Sequence, residues 1–100
     1  MAHKQAFLAV AWSEHWKENY ARLPADRQAA CDRTAMELVK QRASAGHRIK
    51  PILPDKYYWE ARISSGDRII FRLEGGTIFF VDLVKHDDIS RYARRPRSER

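Results

Sequence analysis

The chain has few of the devices that hold small proteins together. It has 100 residues and one cysteine, Cys31, so no disulfide can form within it, and a reducing, cytoplasmic setting is expected. Glycine and proline are scarce at four each, and neither occurs between Asp26 and Ala45. No apolar run approaches the roughly 18 residues of a membrane span. The apolar run Ala6–Trp12 is followed by no small-residue cleavage site, so the start is not expected to be a signal peptide. Acidic residues are the minority, 13 Asp and Glu against 19 Lys and Arg, for a net charge of +6. The length is that of one domain, which excludes a two-domain enzyme with an interdomain cleft.

What is present suffices for one core. Hydrophobic residues make up 44% of the chain and aromatics 11%. A chain of this size buries about two-thirds of its unfolded surface, enough for a stable fold without a disulfide or structural metal. Thirteen of the 19 cations are arginine, whose planar fork grips phosphates bidentately. That balance favours a polyanionic partner, nucleic acid above all, although a generic basic soluble protein shows it too.

Periodicity gives the elements. Ala6–Trp12 reads as a buried strand, too short for a helix. Ser13 has the chemistry of an N-cap, with Glu14 in the first turn. Trp16, Tyr20 and Leu23 then recur at spacings of four and three, the stripe of a short amphipathic helix closed by Pro24. A second helix is predicted over Asp26–Ala45, ended by Gly46. Its core face is Cys31, Ala35, Leu38, Val39 and Arg42, with Arg27, Arg33, Glu37 and Lys40 elsewhere. Together the two helices form an αα-hairpin.

His47–Lys56, with Pro51 and Pro54, reads as an irregular connection. Period-two strands follow at Tyr57–Ser64, Asp67–Glu74 and Thr77–Lys85, joined by turns at Ser65-Gly66 and Gly75-Gly76. A short final turn through Tyr92 precedes a polar tail. The expected architecture is α+β: an N-terminal strand, the αα-hairpin, then a three-stranded antiparallel meander, all one sheet with the helices packed on one face. Residues 1–92 form the domain and 93–100 a basic tail.

Alternation sorts the polar side chains. Trp59, Ala61 and Ile63, with Ile69, Phe71 and Leu73, should pack on the helices. Tyr58, Glu60, Arg62, Arg68 and Arg72 should then share an open face. This parity requires a three-residue loop, Ser64-Ser65-Gly66, with Gly66 left-handed. On the last strand both sets are partly apolar, so its parity is ambiguous. If His86 joins the Arg face, facing arginines Arg62 and Arg68 meet it there. Such clusters are tolerated mostly where an anion sits. The histidines, His3, His15, His47 and His86, lack any paired metal spacing, and no metal or cofactor is expected.

The segments Tyr58-Trp59-Glu60-Ala61-Arg62-Ile63, Ser65-Gly66-Asp67-Arg68-Ile69-Ile70-Phe71 and Ile78–Val84, with His86 and Tyr92, resemble the RelE/ParE superfamily of toxins from type II toxin–antitoxin systems. The resemblance, nearest to the RelE/YoeB-like mRNA interferases, spans nearly the whole chain and matches its element order. It implies a ribosome-dependent endoribonuclease that cuts mRNA by 2′-hydroxyl attack without metal and so inhibits translation. Its partners would be mRNA, the ribosome with its rRNA, and an acidic cognate antitoxin, in a heterotetramer or larger complex, with no membrane involved.

By the same resemblance Arg68 takes the phosphate-binding position after the hairpin, and Arg62 a second basic position. His86 takes the position of a histidine and Tyr92 that of a C-terminal tyrosine. Lys50, Lys56, Arg72, Lys85 and Arg91 would hold RNA. Two departures stand out: Trp59 and Ala61 replace lysines of RelE, and Ile49 stands near the YoeB-like glutamate base. Lys50, Asp55, Lys56 and Glu60 are the nearby substitutes for that base. The chemistry itself needs a base, cations for the extra phosphorane charge and an acid for the 5′-oxygen. Histidine, ordinarily titrating near 6.5, can serve as either acid or base. Each residue also has a plain role: Tyr92 as anchor of the last turn, Glu60 as partner of an arginine, Cys31 as core. Two other functions remain open, a ParE-like toxin that inhibits DNA gyrase by binding, and a non-catalytic basic nucleic-acid-binding module.

Overall fold

A computed structural model describes residues 9–41, 45–54 and 56–94. The first strand, β1 (Ala9–Trp12), runs into α1 (Glu14–Ala21). Ser13 caps that helix as its chemistry predicts, its hydroxyl accepting from the Trp16 N–H at 3.1 Å. The same hydroxyl donates to the Val81 carbonyl, which ties the start of α1 to the sheet. After Pro24, α2 (Ala25–Val39) carries Cys31, Thr34, Ala35 and Leu38 inward. It ends well before Ala45. Gln41 turns left-handed at φ 55° while its N–H closes on the Leu38 carbonyl at 3.0 Å, so the helix is terminated by its own C-terminal geometry and not by Gly46. Arg42 lies outside the described residues.

A short β2 (Lys50–Pro51) then precedes β3 (Trp59–Arg62), β4 (Asp67–Glu74) and β5 (Thr77–Lys85). The sheet is mixed, ordered β1-β5-β4-β3-β2, with β1 parallel to β5 and every other pairing antiparallel. The α+β layout is the one expected, enlarged by β2 within the stretch read as irregular. The first strand differs from its expectation. With a neighbour on one side only, β1 is an exposed edge, and Trp12 is 43% exposed even as its ring stacks on Phe80 at 4.5 Å.

Both faces of the sheet carry apolar side chains. Against the helices lie Trp16, Cys31, Ala35, Leu38, Ala61, Ile69, Phe71, Ile78 and Phe80. Leu73, assigned to this core, is exposed near the end of β4. On the opposite face Ile52, Tyr58, Ile70, Val81 and Tyr92 form a second cluster, each large side chain contributing roughly 1.5–3 kcal/mol by leaving water. This second cluster overturns the expectation of an open face. It is roofed by α3 (Ser90–Arg94), which follows a single 3-10 turn at His86–Asp88.

A bulge makes the two-sided packing possible. The pairing steps from Ile70↔Asp82 to Phe71↔Phe80 and leaves Val81 opposite no residue. The extra residue reverses the parity of β5. Ile78 and Phe80 face the helices before it, and Leu83 does so after it. The β4–β5 turn is the expected two-residue one, with Gly75 and Gly76 at φ 51° and 81°, as a type I′ turn demands. The β3–β4 loop is Ser64-Ser65-Gly66, closed by the Ile63 N–H on the Asp67 carbonyl at 3.0 Å. Gly66 is not among the left-handed glycines; the Ser64 hydroxyl, accepting from the Asp67 N–H at 3.2 Å, shapes this turn in its place.

Candidate functional site

The β3–β4 loop is the support of the site. Register puts Arg62 opposite Arg68, and Arg68 opposite Val84, in one row across the sheet end. The facing arginines are as the alternation predicts, but their exposure is not. Arg68 is 9% exposed, and its Nη1 donates to the carbonyls of Ser64 at 2.6 Å, Asp67 at 3.0 Å and Ser65 at 3.3 Å. Three carbonyl dipoles converge on the guanidinium and hold it folded back on its own hairpin. Arg68 is therefore a brace of the loop as well as a charge beside it. Arg62 is half-buried.

The same loop fixes His86. The backbone N–H of His86 donates to the Gly66 carbonyl at 2.9 Å, and its side chain stands 60% exposed. Its Nδ1 lies 3.2 Å from Oδ1 of Asp87, a carboxylate that sequence reasoning had not placed in the site. An exposed pair of this kind contributes little to stability, but it orients the ring. Ser65, Gly66, Lys85, His86 and Asp87 line a cavity of about 320 Å³. Arg62, Arg68, Lys85 and His86 thus come to one end of the sheet.

The other expected residues go elsewhere. Tyr92 is 3% exposed; its ring meets Tyr58 edge-on at 5.0 Å and its hydroxyl donates to Asp82. It anchors α3, and the accessible proton donor or stacking ring expected there is absent from this geometry. Arg72 packs over Phe79 at 4.1 Å and Tyr57 at 5.4 Å and pairs with Glu74 at 2.8 Å, toward the opposite end of β4. Arg91 is exposed and lies 3.4 Å from Asp88. Lys50 and Lys56 are exposed on the β2 side. Among the candidate bases, Glu60 is buried opposite Lys50 and Ile70, and Asp55 lies outside the described residues.

One network escaped the sequence reading. Asp67 accepts from Arg27 Nε at 2.9 Å and Nη2 at 2.7 Å, and from Lys85 at 3.2 Å. The Arg27 fork, with help from Lys85, outweighs burial and holds the Asp67 carboxyl below its ordinary range. Arg27 lies off the core face that the helix periodicity picks out, yet a signal exists in the sequence: Asp67, odd-numbered like Ile69 and Phe71, has to face the helices. The Cys31 thiol is pushed up to about 12 by burial, so it is core and not a nucleophile. Among the described residues no helix is long and apolar enough to cross a membrane.

No family model and no curated protein matches the chain by sequence. Solved structures do match by shape. YafQ from E. coli strain BL21(DE3) superposes with a TM-score of 0.67 at 14% identity, over 80% of this chain and 94% of that one. A YoeB/ParE toxin from Agrobacterium tumefaciens gives 0.63 at 19% identity, over 79% and 99%. The RelB–RelE antitoxin–toxin complex from Methanococcus jannaschii gives 0.64 at 17% identity, over 82% and 96%. The fold is that of the RelE-like toxins.

Proposed function

We propose that this chain is the toxin of a toxin–antitoxin pair and an endoribonuclease acting on ribosome-bound mRNA. The observation that carries the reading is the gathering of Arg62, Arg68, Lys85 and His86 at the β3–β4 end of a RelE-like fold, with Lys85 and His86 lining a cavity open to solvent. RNA brings its own nucleophile. In the proposed step the 2′-oxygen forms a bond to phosphorus, its proton passes to a base, and the P–O5′ bond breaks as the 5′-oxygen takes a proton from an acid. His86 is the exposed group able to transfer a proton, oriented by Asp87. Arg62 and Lys85 stabilise the charge that accumulates on the phosphorane, and Arg68 holds the loop that positions them. Arg91, Lys50 and Lys56, exposed on the flanks, attract the RNA backbone at longer range.

The net charge of +6 also suits an acidic antitoxin, bound in a heterotetramer or larger assembly, in the cytoplasm. Solved neighbours include complexes with antitoxins, RelB and DinJ. The deciding experiment uses ribosome-bound message with a single deoxynucleotide on the 5′ side of the cut. Unmodified message should yield a 2′,3′-cyclic phosphate and a 5′-hydroxyl, and the deoxy message should stay whole. Cleavage at an unchanged rate would make water the nucleophile and remove the roles given to Arg62 and His86. One observation favours a second reading, a ParE-like gyrase inhibitor: Tyr92 and Glu60 are buried away from the cavity. Under that reading, expression without a partner triggers a DNA-damage response and leaves mRNA intact.

A further inference from the structure

A second cleft, of about 230 Å³, opens between the α1–α2 link and the loop end of the sheet, where Asn19, Arg22, Leu23, Arg27, Asp67 and Lys85 meet. Arg68 also borders it, but its guanidinium is engaged by loop carbonyls. Arg22, Arg27 and Lys85 line this cleft with one carboxylate, Asp67, so cations exceed anions in a small space. Lys85 lines this cleft and the His86 cavity alike. A single cation therefore borders both spaces.

We propose that this cleft is a second phosphate seat for the RNA strand. A strand whose cleaved phosphate lies beside His86 runs on past Lys85, and a neighbouring backbone phosphate meets Arg22 and the Arg27 fork. Two features of the network suit that task. A guanidinium held bidentately by a carboxylate is already in the planar arrangement that a phosphate accepts. Asp67 is then a placeholder: it keeps Arg27 and Lys85 extended in the empty protein and yields part of their hydrogen bonding to the strand. An acidic protein segment could satisfy the same cations, but Lys85, which borders both this cleft and the His86 cavity, favours RNA. The inference rests on the reading of the chain as an RNA-cleaving toxin.

The test titrates the full chain and its variants with a short labelled single-stranded RNA over a range of salt. Arg22→Gln and Arg27→Gln should each weaken binding about tenfold, as loss of a charge-assisted contact does. Each should also flatten the log–log salt dependence by about 0.7. Arg22→Gln carries the test if Arg27→Gln proves unstable, since among the described residues the Arg22 side chain makes just a 3.4 Å contact with Asn19. Asp67→Asn should strengthen RNA binding severalfold although it breaks the ion pair, a gain that a purely structural network would not give. Unchanged affinity and slope in Arg22→Gln and Asp67→Asn overturn the seat. So does an affinity loss confined to an acidic peptide, which would make the cleft a protein-docking site. If the wild-type chain cuts message and these variants match it throughout, the seat alone fails. If the wild type binds RNA with the predicted variant effects yet cuts nothing, the seat stands and the nuclease reading fails. Absence of any RNA binding overturns both.

Discussion

Tyr92→Phe separates structure from chemistry at a position where the two give opposite results. The substitution keeps the ring that meets Tyr58 at 5.0 Å and deletes the hydroxyl that donates to Asp82. Asp82 is itself buried, so the lost donor is felt. The carboxylate keeps the Leu83 N–H at 2.8 Å and the Asn19 amide at 2.5 Å, but both donate to Oδ1, whereas the Tyr92 hydroxyl donates to Oδ2. The cost is that of a bond to a charged group, about 1.5–3 kcal/mol. For a domain of this length that lowers Tm by about 4–8 °C per kcal/mol, and a typical stability of about 5 kcal/mol or more leaves the chain folded at 25 °C. Thermal denaturation followed by circular dichroism should show the drop, while the cleavage rate per folded molecule stays close to wild type. A proton donor in the reaction would behave inversely, with Tm unmoved and the rate down by about 10²–10⁴. That second pattern would refute the anchoring role. Tyr92→Ala is the harsher control, since removing a buried aromatic ring costs about 3–5 kcal/mol and brings the chain near unfolding.

Acidification should expose the Asp67 network. Because its folded carboxyl is held below the ordinary range, the ionised form stabilises the fold above about pH 4, the unfolded value, and that stability is lost as pH falls through the lowered folded value; Asp67→Asn should melt below wild type at pH 7, and the gap should close in acid. A gap that persists in acid would assign the effect to packing. His86→Gln should leave Tm unchanged, since the side chain is largely exposed, and slow cleavage by about 10²–10⁴ if it transfers the proton; equal rates would move that role elsewhere. Cys31, buried and pushed up to about 12, should resist thiol reagents at neutral pH until denaturant is added; rapid labelling of native protein would contradict its place in the core.

The helices and the first hairpin were legible because each rests on local chemistry. Ser13 caps α1 wherever the helix lies, and Trp16, Tyr20 and Leu23 keep their spacing. The facing of Arg62 and Arg68 followed from a three-residue loop and a pleat of two. The bulge at Val81 was hidden because Phe79-Phe80-Val81 is apolar in both parities, so no alternation marks the slip. The burial of Tyr92 was hidden for a related reason: a single aromatic in a polar segment reads the same on a surface or under a roof. The end of α2 was misplaced because Gln41 adopts a conformation ordinarily left to glycine or asparagine. Arg68 shows the limit most clearly, since alternation assigns its face but not the carbonyls that fold the guanidinium back.

The parallel pairing of β1 with β5 bears on how the protein comes into being. Strands at opposite ends of the described chain lie side by side, and the Ser13 hydroxyl reaches a carbonyl 68 residues away. Contacts so distant in sequence close late and slow folding. Until the last strand is made, β1 has nothing to pair with, and the turn that carries His86 follows that strand directly. A ribosome partway through the message therefore holds helices and an unfinished sheet, with neither the cation row nor the histidine assembled. On the proposed reading, activity waits for β5 and the turn after it, which leaves a window in which an emerging chain is harmless to the machine that makes it.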